Sequence, residues 1–294
     1  MTDSVVDRSH ITYFNNPLVA ETFTHLPAAL NHPQVSEFHA YLVENLHQNS
    51  LTTRRRMARY IVNRFSSNGV MNGHLAKALQ KYGDSQIGRE ILYFEYLQSI
   101  PILREIAVQW LTELPEQGGN RENLNHFLES RLGGRCIREV AKGSVQTFKM
   151  LGKMRSPKLA HYYPVWSTPP LEAFLYILAR LYPERAMVRV ELFLNDNLVR
   201  AMLWPQSGIT DLLKDAEAAG HISKISRLDQ YHQFTLAGTG AERMEALLEG
   251  KPKAEPGKDK AVGKPISGKG ASRQKKQLPL FPATGENSTA IKEE

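Results

Sequence analysis

Arg54, Arg55, Arg56, Arg59 and Arg64 lie in one short run, and no carboxylate occurs between Glu44 and Asp84 to neutralise them. Guanidinium groups at that density do one kind of chemistry well. They hold oxyanions through directional N–H donors, and on duplex DNA each phosphate contact also releases condensed counterions. A second cluster repeats the composition: Arg135, Arg138, Lys142, Lys149, Lys153 and Arg155, with Glu139 the one acid from 131 to 158. The whole chain carries +7, but Lys251 to Lys276 alone supplies that much, so the remainder is close to neutral. Because the two acid-poor stretches are strongly basic, the rest of the body is strongly acidic. Charge segregated in this way predicts a basic face turned toward a polyanion. The plain alternative is a pair of solvated helix surfaces, but the first stretch has no local carboxylate to relieve its repulsion, and in the second a stripe of Lys and Arg recurs along the outer faces with Glu139 alone against it.

Other chemistry is poorly represented. Gly263 to Lys269 imitates a phosphate loop, yet Gly270 stands where Ser or Thr is required and no strand pattern precedes it. The ten histidines show no ligand spacing, and the single Cys136 forms neither an internal disulfide nor a metal cluster. No nucleophile elbow or paired-carboxylate arrangement is evident. The expectation is a non-enzyme with no catalytic residues, no metal and no cofactor. No apolar run approaches the roughly 20 residues of a membrane span, and Met1 to Ser4 does not begin a secretory signal. A cytoplasmic protein without membrane partners is expected.

Lys251 onward turns to Lys, Gly, Pro, Ser and Ala, a composition unable to bury enough surface to order itself. Inside this expected disordered tail sits an apolar interruption, Gln277-Leu278-Pro279-Leu280-Phe281. It resembles the short peptide by which bacterial polymerases and repair proteins grip the sliding clamp. That resemblance makes Gln277, Leu278, Leu280 and Phe281 candidate partner-binding residues. The competing reading is a hydrophobic staple folded back on the body.

The elements that must position the two basic clusters read as helices. Pro33 opens one with Val35, Phe38, Leu42 and Leu46 inward. The next buries Met57, Tyr60, Ile61 and Phe65 and turns its arginines outward, and a third starts at Asn72. This is compatible with a helix-turn-helix. Pro101 must kink or break the long helical stretch after Asp84. The second cluster falls on helices from Ile137 to Leu151. From Trp166 to Leu236 the pattern becomes three helices and a two-stranded ribbon, the order of a winged helix. Its third helix carries Asp211, Asp215 and Glu217 against Lys214. Carboxylates there oppose phosphate, so this module is expected to dock protein instead of DNA.

Glu44-Asn45-Leu46, Thr52-Thr53-Arg54-Arg55-Arg56, Arg64-Phe65, Ile100-Pro101-Ile102-Leu103, Phe127-Leu128 and the run Ser144 to Leu151 together resemble the A-protein family of BREX phage-exclusion systems (BrxA). The resemblance spans about residues 35–155. It implies a helical DNA-binding body acting with the other subunits of a phage-defence system. The combined expectation is a mainly α protein: an arm at 1–16, a helical DNA-binding domain at 17–157, a winged-helix domain at 158–250 and a basic tail at 251–294. Its expected function is that of an accessory factor contacting double-stranded DNA. The alternatives are a replication or repair adaptor recruited to the sliding clamp, and a scaffold subunit binding acidic proteins.

Overall fold

The computed structural model describes residues 16–134, 136–228 and 231–250. They are mainly helical. Helix α1 (Val19–His25) runs into a 3-10 turn (Leu26–Leu30) and is followed by α2 (Val35–Asn45) and α3 (Leu51–Phe65). Strands β1 (Ser66–Ser67) and β2 (Val70–Met71) form a hairpin closed by Asn68-Gly69. Both loop residues have positive φ, 51° and 78°, as a two-residue turn matched to strand twist requires. Gln34 adds to the free side of β2 through a bridge to Val70.

Two helices follow, α4 (Gly73–Tyr82) and α5 (Gln86–Ser99). Asn72 caps the first by accepting from Leu75 N–H at 3.0 Å, where the sequence places its start. Pro101 ends α5 as expected, and α6 (Pro101–Ile106) continues into a π turn (Ala107–Leu111). Then come β3 (Gly119–Asn120), α7 (Arg121–Leu132), α8 (Ile137–Met150), β4 (Met154–Arg155) and β5 (His161–Pro164). Asn120 and Asn123 cap α7 reciprocally. Gly118 is held by space as well as by turn geometry, since its φ is 78° and a Cβ there would sit 2.5 Å from the Tyr162 carbonyl oxygen.

The remaining elements are α9 (Leu171–Leu181), β6 (Met187–Arg189), α10 (Val190–Leu194), α11 (Asn197–Ala201), α12 (Gln206–Ala218), β7 (Ile222–Leu228), β8 (Tyr231–Leu236) and α13 (Gly240–Glu249). Sequence periodicity reads α10 and α11 as one helix. The structure divides them at Asn195-Asp196, where the Asp196 carboxylate captures the Leu198 and Val199 amides instead of continuing the helix.

One arrangement occurs three times. A leading helix is followed by a short strand, two helices (in the last copy the first of them is broken into α10 and α11) and a two-stranded ribbon, and the early strand pairs with the last. The orders β1-β2-Gln34, β4-β5-β3 and β7-β8-β6 are the same topology. The helix that leads into the ribbon, third in each repeat when α10 and α11 are counted as one broken helix, is α3, α8 and α12 respectively. The hydrophobic core runs without interruption across residue 157.

Candidate nucleic-acid interface

Helix α5 is the element on which all three repeats are fixed, and its Ile91–Leu97 segment is buried on every side. Glu95 accepts from Asn72 at 3.2 Å, from Tyr176 at 2.8 Å and from Arg180 Nε at 2.9 Å. Glu90 accepts from Lys153 Nζ at 2.6 Å and from the Trp204 indole at 3.2 Å. Tyr93 donates to the Ala201 carbonyl at 2.9 Å. Burial pushes the Tyr93 and Tyr176 phenols well above their usual range, and a neighbouring carboxylate adds to each shift. These bonds are desolvated and therefore hold geometry firmly.

On α3, Met57, Tyr60, Ile61 and Phe65 face the core as the periodicity predicts. The opposite sector holds Thr52, Arg55, Arg56, Arg59 and Asn63, all exposed, within about 100° of helix circumference. Arg55, Arg56 and Arg59 have no ion pair among the described residues. The other two arginines differ. Arg54 is half-buried and donates to the Val43 carbonyl at 2.9 Å, which ties α3 to the end of α2.

Arg64 is a correction to the sequence reading. It is buried, donates to the Pro17 carbonyl at 2.6 Å and the Asn16 carbonyl at 2.7 Å, and stacks on Tyr96 at 5.6 Å. Its charge serves the packing of the N-terminal strand of chain, since 64 falls on the buried side of the same wheel that exposes 59 and 63. Burial lowers its pKa, partly offset by Tyr96. Two further cations of this acid-poor stretch are also engaged: Lys77 pairs with Glu249 at 2.6 Å, and Lys81 donates to the Leu247 carbonyl at the C-terminal end of α13.

Helix α8 repeats the pattern. Arg138, Lys142, Gln146 and Lys149 are exposed in one sector, while Val140, Ser144, Thr147 and Phe148 are buried. Arg155 is exposed on β4 with its guanidinium 5.3 Å from the Tyr163 ring centroid. Lys153 is the second correction. It is fully buried against Glu90 and the Met202 carbonyl, 2.8 Å away, and lies over the Tyr93 ring. The helix ends at Met150, so the outward phase read from its sequence no longer applies three residues on. Desolvation lowers the Lys153 pKa, against the opposing pull of Glu90. Arg135 lies outside the described residues, as do Gln277, Leu278, Leu280 and Phe281.

The third helix of the last repeat has the opposite sign. Asp211, Asp215 and Glu217 are exposed on α12 with Lys214. Lys214 pairs with Asp211 at 2.9 Å, and Glu217 accepts from the Ile225 amide at 2.9 Å. Beside this helix, Arg189, Glu191, Asn195, Gln206 and His232 border a cleft of about 390 Å³. Its mixed charges make it neither an anion site nor a cation site. Among the described residues no group of three His, Cys, Asp or Glu side chains is arranged to hold a metal. No helix among them is long and apolar enough to cross a membrane.

No family model and no curated protein matches the chain. Two solved structures do. One, titled "SspB crystal structure", superposes with a TM-score of 0.55 at 12% identity, over 80% of this chain and 87% of that one. The other, a magnesium ion-bound SspB, gives 0.54 at 13% identity with the same coverage. At that identity the likeness is one of fold, and it extends across the repeats and not over one of them alone.

Proposed function

We propose that this protein is a non-enzymatic DNA-binding factor built from three winged-helix repeats, two of which contact duplex DNA through their basic third helices, α3 and α8. One observation carries the reading. The two acid-poor stretches of the sequence, far apart in the chain, occupy the same position in two copies of one topology, and each exposes a sector of cations there. In winged-helix and helix-turn-helix proteins that position is the helix presented to the major groove. Arg55, Arg56, Arg59, Arg138, Lys142, Lys149 and Arg155 are the phosphate-contacting residues of this reading; Arg64 and Lys153 are not among them. The resemblance of residues 35–155 to the BREX A protein adds the setting, an accessory role beside other subunits of a cytoplasmic phage-defence system.

The test is an electrophoretic shift of duplex DNA by a chain of residues 17–250, which omits the basic tail. Arg55→Glu/Arg56→Glu/Arg59→Glu should abolish the shift while circular dichroism remains that of the parent. A shift of undiminished strength would defeat the reading.

The acidic third helix favours a second role for the last repeat, the docking of a protein partner through α12. Asp215→Ala should then leave DNA affinity unchanged or slightly raised, and a fall in affinity by a folded variant would make α12 a DNA reader. The clamp-like peptide lies outside the described residues and forms a separate proposal. Calorimetry of a synthetic 272–285 peptide against the host sliding clamp, beside Leu280→Ala/Phe281→Ala, tests it.

A further inference from the structure

The ribbon of the second repeat ends in an apolar side chain that nothing covers. Leu159 is 93% exposed, against 42–65% for the other exposed large hydrophobic residues. It stands at the tip of the β4–β5 hairpin, in the turn joining Arg155 to His161. This tip is built to hold one shape. Ser156 Oγ donates to the Lys158 carbonyl at 3.0 Å, and the same carbonyl accepts from the His161 amide at 3.2 Å. Ala160 adopts a left-handed φ of 60°.

The root is equally fixed. The Val165 amide donates to the Lys153 carbonyl at 3.0 Å, and the Lys153 side chain is locked on Glu90. Met154 and Tyr162 are buried, with Tyr162 edge-on to Trp110. An ordered hairpin thus carries a leucine into solvent, where it gains nothing from the fold.

The surroundings select the partner. From 140 to 171 the chain contains no Asp or Glu. Arg155 and Lys158 flank the tip and are exposed, and the Arg138–Lys142–Lys149 sector lies on the helix that leads into this ribbon. Glu139, exposed beside Arg138, is the one acid on that helix, so the surface around the tip carries a clear excess of positive charge. A duplex calls for such charge, and proteins that enter the minor groove combine cations for its backbone with an apolar wedge that unstacks one base step.

We propose that the β4–β5 hairpin enters the minor groove next to the segment contacted by α8, with Leu159 inserted between base pairs so that the duplex bends away from it. The inference rests on the DNA-binding reading given above. Arg155 and Lys158 hold the two backbones, and Leu159 supplies the kink. Bends made this way are about 20–90°.

The experiment measures end-to-end energy transfer on a doubly labelled duplex of about 30 base pairs, together with the fluorescence of 2-aminopurine placed at successive TA steps. The full chain, Leu159→Ala and Leu159→Phe are each compared at saturating protein. Leu159 touches almost nothing, so both variants should fold as the parent does. The parent and Leu159→Phe should raise energy transfer and brighten one probe position several-fold. Leu159→Ala should still saturate the duplex, with affinity lowered about tenfold or less, yet leave it nearly straight and the probe dim. Equal bending by Leu159→Ala and the parent would overturn the wedge while leaving DNA binding intact. Failure of the parent to bind any duplex would overturn both. Leu159-dependent capture on anionic vesicles, with no distortion of DNA, would also overturn the wedge by assigning the tip to lipid.

Discussion

Neutralising α3 without reversing its charge gives a quantitative test of how many of its arginines meet phosphate. Arg55, Arg56 and Arg59 are exposed and have no ion pair among the described residues, so Arg55→Gln/Arg56→Gln/Arg59→Gln removes three cations without stranding a buried partner. Each phosphate contact on B-DNA contributes about 0.9 to the slope of log affinity against log salt, so the triple variant should lose about 2.7 from that slope. The same relation scales each lost contact by salt concentration to the power of about 0.9. The variant should therefore bind about 170-fold more weakly at 0.15 M salt and about 3,000-fold more weakly at 0.05 M. Arg138→Gln/Lys142→Gln/Lys149→Gln should remove a similar increment from α8, and the two sets should add because they lie on different helices. Fluorescence anisotropy of a labelled duplex at five salt concentrations measures both. A slope unchanged by the α3 set would refute the phosphate contacts, even if affinity fell for another reason.

The buried cations should behave differently. Arg64→Met leaves the Asn16 and Pro17 carbonyls without their donor and should cost about 2–6 kcal/mol in urea unfolding, at about 1–3 kcal/mol per stranded group, while the salt slope of DNA binding stays as in the parent. Lys153→Met strands Glu90 and should cost about 3–5 kcal/mol; Lys153→Met/Glu90→Gln should regain much of that loss, and a double variant no more stable than the single one would show that the pair is not the source. His25 has its pKa lowered from 6.5, chiefly by burial. The unfolded chain then binds a proton before the folded one does, so stability present above 6.5 should decline as pH falls from there toward the folded value. His74 is shifted the same way by burial, so His25→Gln should reduce the fall of the urea midpoint between pH 7.5 and 5.5 and leave the His74 part, and an unaltered pH dependence would exclude His25 as a source.

The sequence is informative where one apolar stripe decides a helix, and least so where a few residues form a strand. The inward set of α3, the Asn72 cap, the Asn120 cap and the break at Pro101 all follow from spacing and backbone chemistry. The ribbon of the third repeat is legible because β7 and β8 are long enough to alternate. The ribbons of the other two are not, since strands of two to four residues leave no period to read. Asn68-Gly69 is a hairpin signal that could have revealed the first. Without the ribbons the threefold recurrence stays hidden, and the two basic clusters look unrelated. The errors at Arg64 and Lys153 have one origin: composition counts charges, whereas the side on which each side chain leaves the backbone decides whether they reach solvent. Neither Glu90 nor Glu95 stands out in the sequence, because α5 is buried on every side from Glu90 to Leu97 and leaves no polar face from which they could depart.

If the basic helices make the contact, duplex DNA lies on α3 and α8 and away from α12. Photo-crosslinking reads this directly, with a benzophenone side chain placed singly at Asn63, Gln146 or Lys214, all exposed and clear of the core. Irradiation of each full-length variant on a labelled duplex should yield DNA adducts from positions 63 and 146 and only background from 214. Adducts from 214 alone, or from none of the three while binding persists, would contradict it.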